Sequence, residues 1–140
     1  MKTITMLLII IQLGFADYTN NGDETFTDNV TGLIWQNSSD NNTNELSWID
    51  AMNYCENLSI SNNNNWRLPT INELITLINP LEYNPSIYNI FTYTANAYYW
   101  SSTTYINSKD EAWVVTFAEG GINMISKSGT SGRYVRCVSH

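Results

Sequence analysis

Apolar positions recur along this chain with two different periods, and the change of period divides it. Trp48, Ala51, Met52 and Cys55 lie at helical spacing behind Ser47, a residue suited to an N-cap, so the pattern predicts an amphipathic helix over 47–58. Ile71, Leu74, Ile75 and Ile78 form a second, shorter stripe. It opens on Trp66-Arg67-Leu68-Pro69-Thr70-Ile71-Asn72-Glu73-Leu74. There Pro69 biases Leu68 toward an extended backbone, Thr70 and Glu73 make a T-x-x-E capping box, and Asn79-Pro80 ends the helix. Further on, strand-like runs take over: Tyr98-Tyr99-Trp100-Ser101-Ser102, then 112–117, 122–126 and 134–138. Glu119-Gly120-Gly121 is a hairpin turn between two of them, and Asp28-Asn29-Val30-Thr31-Gly32 turns a small hairpin between Phe26 and Leu33-Ile34-Trp35. Between Leu81 and Ala97 no period holds. That Tyr-rich stretch is either a functional loop or an irregular layer packed over the core. The sum is an α+β domain with two short helices, followed by a small antiparallel sheet that the last strand closes.

The first residues follow another logic. Lys2, an apolar run from Ile4 to Ile11, and Gly14-Phe15-Ala16 have the order of a secretory signal peptide, residues 1–16. The run is too short to span a bilayer and nothing later is long enough. The expected product is therefore an exported domain of residues 17–140, periplasmic or extracellular, with no membrane span. Cys55 and Cys137, the only two cysteines, read as one disulfide in an oxidising compartment. A catalytic thiol would need a base, and the only His is His140.

Charge narrows the partners. Lys2 aside, five basic residues (Arg67, Lys109, Lys127, Arg133 and Arg136) stand against thirteen acidic ones, a net charge of −8. Binding nucleic acid needs a clustered basic surface, so no nucleic acid is expected. A polyanionic ligand would require Lys127, Arg133 and Arg136 to gather on one face, or oligomerisation to repeat them. Asp23, Glu24 and Asp28 do not follow calcium-loop spacing and read as turn acids, so neither a metal nor a cofactor is expected.

Five ordered strings carry a resemblance. They are Thr27-Asp28-Asn29-Val30-Thr31-Gly32-Leu33-Ile34-Trp35, Trp48-x-x-Ala51-x-x-Tyr54-Cys55-x-x-Leu58, the Trp66 to Leu74 stretch, Tyr99-Trp100-Ser101-Ser102-Thr103, and Val135-Arg136-Cys137-Val138. Together they resemble the C-terminal domain of the Legionella collagen-like adhesin, a bacterial family long listed as a domain of unknown function. The resemblance implies a C-type-lectin-like fold in which a cysteine of the first helix, here Cys55, bridges to the last strand at Cys137. In the adhesin the domain follows a collagen-like stalk, trimerises and binds sulfated glycans. A more distant similarity is to formylglycine-generating enzymes, but these need a reactive cysteine pair beyond the structural one. The calcium-dependent sugar motif of C-type lectins has no counterpart either, because the matching strand reads Trp113-Val114-Val115.

The function expected is that of a non-enzymatic binding module at the bacterial envelope, taking a glycan or a protein ligand. Tyr98 and Tyr105 with the loop Asn107-Ser108-Lys109-Asp110, and Lys127 and Arg133 from the second loop, are the candidate contacts, since loops carry recognition and these side chains stack or donate. Trp66, Arg67, Thr70, Glu73 and Trp100 are read as structural, with Arg67 and Glu73 an ion pair. The alternatives are a structural or oligomerisation domain forming a homo-oligomer, and an enzyme using Glu111 or Glu119.

Overall fold

The computed structural model describes residues 16–140, so the segment read as a signal peptide lies outside the described residues except for Ala16. Among the described residues, eight strands and two α-helices follow in an α+β arrangement. Strands β1 (Tyr18–Asn20), β2 (Thr25–Asp28) and β3 (Ile34–Gln36) precede a 3₁₀ turn at Ser39–Asn42. Helices α1 (Trp48–Asn57) and α2 (Ile71–Ile75) come next. Then follow β4 (Tyr98–Tyr105), β5 (Ser108–Thr116), β6 (Gly121–Ser126), β7 (Arg133–Tyr134) and β8 (Val138–Ser139). Among the described residues no helix is long and apolar enough to cross a membrane.

The expectation of one antiparallel sheet is corrected: there are two four-stranded sheets, β1-β2-β3-β8 and β6-β5-β4-β7, and β7 joins β4 in parallel. The run Tyr134–Val138, read as a single strand, is the reason. It leaves the second sheet after Tyr134 and enters the first at Val138, and Val135, Arg136 and Cys137 are buried in the passage between them. A crossing segment buried on all sides has the same apolar content as a strand, so periodicity alone does not separate the two.

The helix starts follow local chemistry. Ser47 Oγ accepts from the Asp50 N–H (3.3 Å) and donates to the Asp50 carboxylate (2.7 Å). Thr70 Oγ1 accepts from the Glu73 N–H (3.2 Å), while a Glu73 carboxylate oxygen accepts from the Thr70 N–H (2.9 Å), the reciprocal box expected. The predicted extension of α2 to Ile78 fails by one turn. The amides of Thr76, Leu77 and Ile78 donate three residues back rather than four, which tightens the backbone and swings Leu77 into the core.

Two apolar clusters result. Phe26, Trp35, Leu74, Leu77, Ile87, Phe91, Tyr99, Val115 and Phe117 fill one, and its rings meet edge to face, as Tyr99 does with Phe117 at 5.1 Å. Trp66, Leu68, Trp100, Val114 and Val135 pack with Ala51 and Cys55 of α1 in the other. The aperiodic stretch 81–97 belongs to the first cluster through Ile87 and Phe91, and the Ser86 N–H donates to the Phe117 carbonyl (2.6 Å). It is an irregular layer over the core. Cys55 and Cys137 form the disulfide, 82 residues apart, and it ties α1 to the residue before β8.

Candidate functional site

The C-terminal half of α1, the Arg67–Glu73 stretch and the middle of β4 enclose an open cleft of about 560 Å³. Met52 and Glu56 line one wall, Arg67, Leu68, Thr70 and Glu73 the other, and Ser102 of β4 contributes to the lining between them. Spacing explains the first wall, because residues four apart share a helix face, and on α1 that face lies beside the one that buries Ala51 and Cys55.

The second wall is fixed by charge. Arg67 Nη1 and Nη2 each donate to one Glu73 carboxylate oxygen at 2.7 Å, a parallel fork. Arg67 itself is held by two backbone hydrogen bonds to Val138, both 2.9 Å. The guanidinium draws the Glu73 carboxyl down to about 2, aided by the Thr70 N–H, and Glu73 in turn raises Arg67 above its ordinary value. Glu73 is therefore a fixed carboxylate near neutral pH, with no proton to give. The Arg67 side chain stays 37 % exposed and that of Glu73 20 %, so the cleft wall shows both a donor and an acceptor to solvent. This is the ion pair expected of these residues, and Trp66 and Trp100 are buried beside it in the second cluster.

Lys127 lies against the first turn of α1. Its ammonium sits 4.1 Å from the Trp48 ring centroid and donates to Thr104 Oγ1 (2.8 Å) and to the Lys109 carbonyl (2.7 Å). Trp48 lies one helical turn before Met52, and Thr104 lies two residues beyond Ser102 on β4. Trp48 and Met52 share a helix face, which sets Lys127 one turn of α1 from the cleft wall, while an irregularity in β4 between Trp100 and Thr104 interrupts the alternation beside it.

The remaining candidates from the sequence fall into two places. Tyr105, Lys109 and Asp110 surround the β4–β5 turn, where the Tyr105 ring meets Trp113 edge to face at 5.4 Å. Lys109 and Asp110 are strand residues of β5, so the loop expected at 107–110 reduces to a turn at Ile106-Asn107. Tyr98 and Arg133 pair across β4 and β7 at the other end of the sheet, roughly 23 Å from Tyr105 at the rise of an extended strand. Tyr98, Tyr105, Lys109, Asp110, Lys127 and Arg133 thus do not make one surface.

Nor do the cations gather. Arg136 has no exposed surface: its guanidinium donates to the Gln36 carbonyl (2.5 Å), the Tyr93 carbonyl (2.7 Å) and Thr94 Oγ1 (2.9 Å), over the Phe91 ring. Burial pulls it down to about 10, which still leaves it charged at neutral pH. The turn acids behave as expected. Asp28 Oδ1 accepts from the Val30 and Thr31 N–H groups, and Asp23 Oδ1 from the Thr25 hydroxyl.

The sequence does not mark Glu56 or Ser102 as site residues, and Met52, expected on the buried stripe of α1, is only half-buried. Met52 and Glu56 are an i, i+4 pair on the shoulder of α1, beside the fully buried Ala51 and Cys55, and the spacing does not say what faces them. Among curated proteins no match to the chain was found. The family model of the Lcl C-terminal domain matches residues 24–139, nearly all of the described chain, and the protein belongs to that family.

Proposed function

We propose that this domain is a non-enzymatic binding module that takes a hydroxyl-rich ligand, a glycan, in the cleft between α1 and α2. The observation that carries the reading is the exposed Arg67–Glu73 fork. A vicinal diol can accept from the guanidinium and donate to the carboxylate without displacing either, and both groups are held in place before the ligand arrives. Met52 supplies an apolar patch opposite, and Trp48 with Lys127 extends the site at one end. A C-type-lectin-like scaffold is part of the proposal, supported by the bridge from α1 to the residue before β8. So is export, supported by a disulfide that persists in oxidising compartments.

The fork has no net charge, so binding should survive moderate salt, unlike capture of a sulfated polymer by cations. The test is a glycan array on the oxidised domain at low and moderate salt, with calcium or chelator, followed by titration calorimetry of the hits against Met52→Ala and Glu56→Ala. Salt-insensitive binding that weakens by five-fold or more in either variant supports the cleft. Binding untouched by both variants, or no glycan bound at all, removes it and turns attention to a protein ligand.

A further inference from the structure

Four strands form the edges of the two sheets among the described residues, and three of them are two or three residues long: β1, β7 and β8. The fourth, β6, is different. It runs six residues in unbroken register with β5, and its sequence Gly121-Ile122-Asn123-Met124-Ile125-Ser126 holds no charge, proline or bulge. Those are the devices that keep sheet edges from pairing, and β6 lacks them all. Ile122 and Met124, on one face of the strand, are 44 % and 37 % exposed, and their β5 neighbours Val115 and Trp113 continue the apolar strip inward.

We infer that β6 is a self-association edge, pairing antiparallel with β6 of a second copy about a two-fold axis. The backbone sets which registers are open. The Lys127 N–H donates to the Asp110 carbonyl (2.9 Å), one rung beyond β6, so Gly121, Asn123 and Ile125 aim their backbone groups at β5. Ile122, Met124 and Ser126 therefore aim theirs at solvent. A second strand must bond to those three. Of the registers that fit, one sets Ile122 opposite the partner's Met124, and Met124 opposite the partner's Ile122, so that both apolar residues find apolar partners. The same register puts Asn123 on the axis against its own copy.

A chain with a net charge of −7 repels its copies in general, but β6 itself offers an uncharged line of approach. The product is a continuous eight-stranded sheet, β7-β4-β5-β6 joined to the same strands in reverse. Edge pairing over six residues buries less than the roughly 800 Å² per partner of a standard interface, so association belongs in the micromolar to millimolar range. This inference is independent of the cleft.

Sedimentation velocity on the full oxidised chain, from low micromolar to millimolar concentration, reads the association directly. The expected result is a reversible rise toward twice the chain mass, lost in Met124→Lys. A second readout does not depend on how that variant folds. At a non-hydrogen-bonded antiparallel pair the α-carbons stand about 4.5 Å apart, within disulfide reach, so Asn123→Cys should cross-link to a dimer under mild oxidation. Asn107→Cys, at the exposed β4–β5 turn, should cross-link at least ten-fold more slowly. Monomer at millimolar concentration, a trimer, a dimer that Met124→Lys leaves intact while folded, or equal cross-linking of the two cysteine variants would each overturn the assignment.

Discussion

Arg136 offers the sharpest test of how the two sheets are held, because its charge is buried with neutral acceptors alone. Its guanidinium bonds Gln36 at the end of β3, reaches 3.3 Å from Asn37 Oδ1 and Asn41 Oδ1, and on its other side bonds Tyr93 and Thr94 of the irregular layer. Arg136→Met keeps the length of the side chain and removes the donors. Three well-formed charged hydrogen bonds, at about 1.5–3 kcal/mol each, are lost. Part of that is returned, because the buried ion no longer has to be desolvated, at a cost of several kcal/mol. The net expectation is a loss of about 2–4 kcal/mol. With an unfolding entropy of about 2.1 cal/mol/K per residue, 3 kcal/mol lowers Tm by roughly 11 °C. Arg136→Lys should lose at least as much. It keeps the buried charge, and a point ammonium cannot serve Gln36 and Thr94 together. Urea unfolding of the oxidised protein measures both, with an unchanged slope showing that the folded state is comparable. If Arg136→Met lies within about 0.5 kcal/mol of the parent, or Arg136→Lys is the milder change, the guanidinium does not bridge the layers as described.

Other outcomes follow from features with separate causes. The Glu73 carboxyl sits well below its unfolded value of 4.5, so its contribution is complete above that pH and fades as the pH falls toward about 2. Acid unfolding of Glu73→Gln should accordingly lack that component, while at neutral pH the variant is less stable by about 1.5–3 kcal/mol. Ser47→Ala and Thr70→Ala each remove an N-cap on a different helix and should cost about 1 kcal/mol apiece, additively, by chemical denaturation. Replacing Cys55 and Cys137 together by Ala opens a long loop and should lower stability by as much as about 4.5 kcal/mol. Gly120→Ala should be destabilising by more than about 1 kcal/mol, since the residue has φ +76° and a β-carbon would lie 3.1 Å from Ile78.

What the residues announce depends on how far their partners lie along the chain. Ser47, Thr70 and Glu73 are read correctly because a cap is satisfied within three residues, and the Asp28 to Gly32 turn because Asp28 bonds the amides that follow it. The segment 81–97 carries no period, since Ile87 and Phe91 are fixed by strands and layers elsewhere rather than by a ladder of their own. The turn at Ser39–Asn42 reads as a polar loop, yet Asn41 is fully buried and donates to the Val135 carbonyl 94 residues away. Arg136 is the extreme instance. Nothing beside it in sequence marks a buried cation, because its acceptors lie 42 to 100 residues back. The cleft shares this difficulty: Arg67 and Glu73 are six apart and legible as a pair, but Met52, Glu56 and Ser102 meet them only after α1 and β4 have docked.

The passage from β7 to β8 also bears on how the domain closes. Residues 133–139 supply a strand to each sheet, the bridging guanidinium and the second sulfur of the disulfide. Until they dock, neither sheet is complete and Cys55 is without its mate. One short segment thus couples both sheets and α1, and loosening it at either end is felt in both layers. Contacts between residues so far apart in sequence reward the chain only after long loops have closed, which makes folding slow and a single cooperative step.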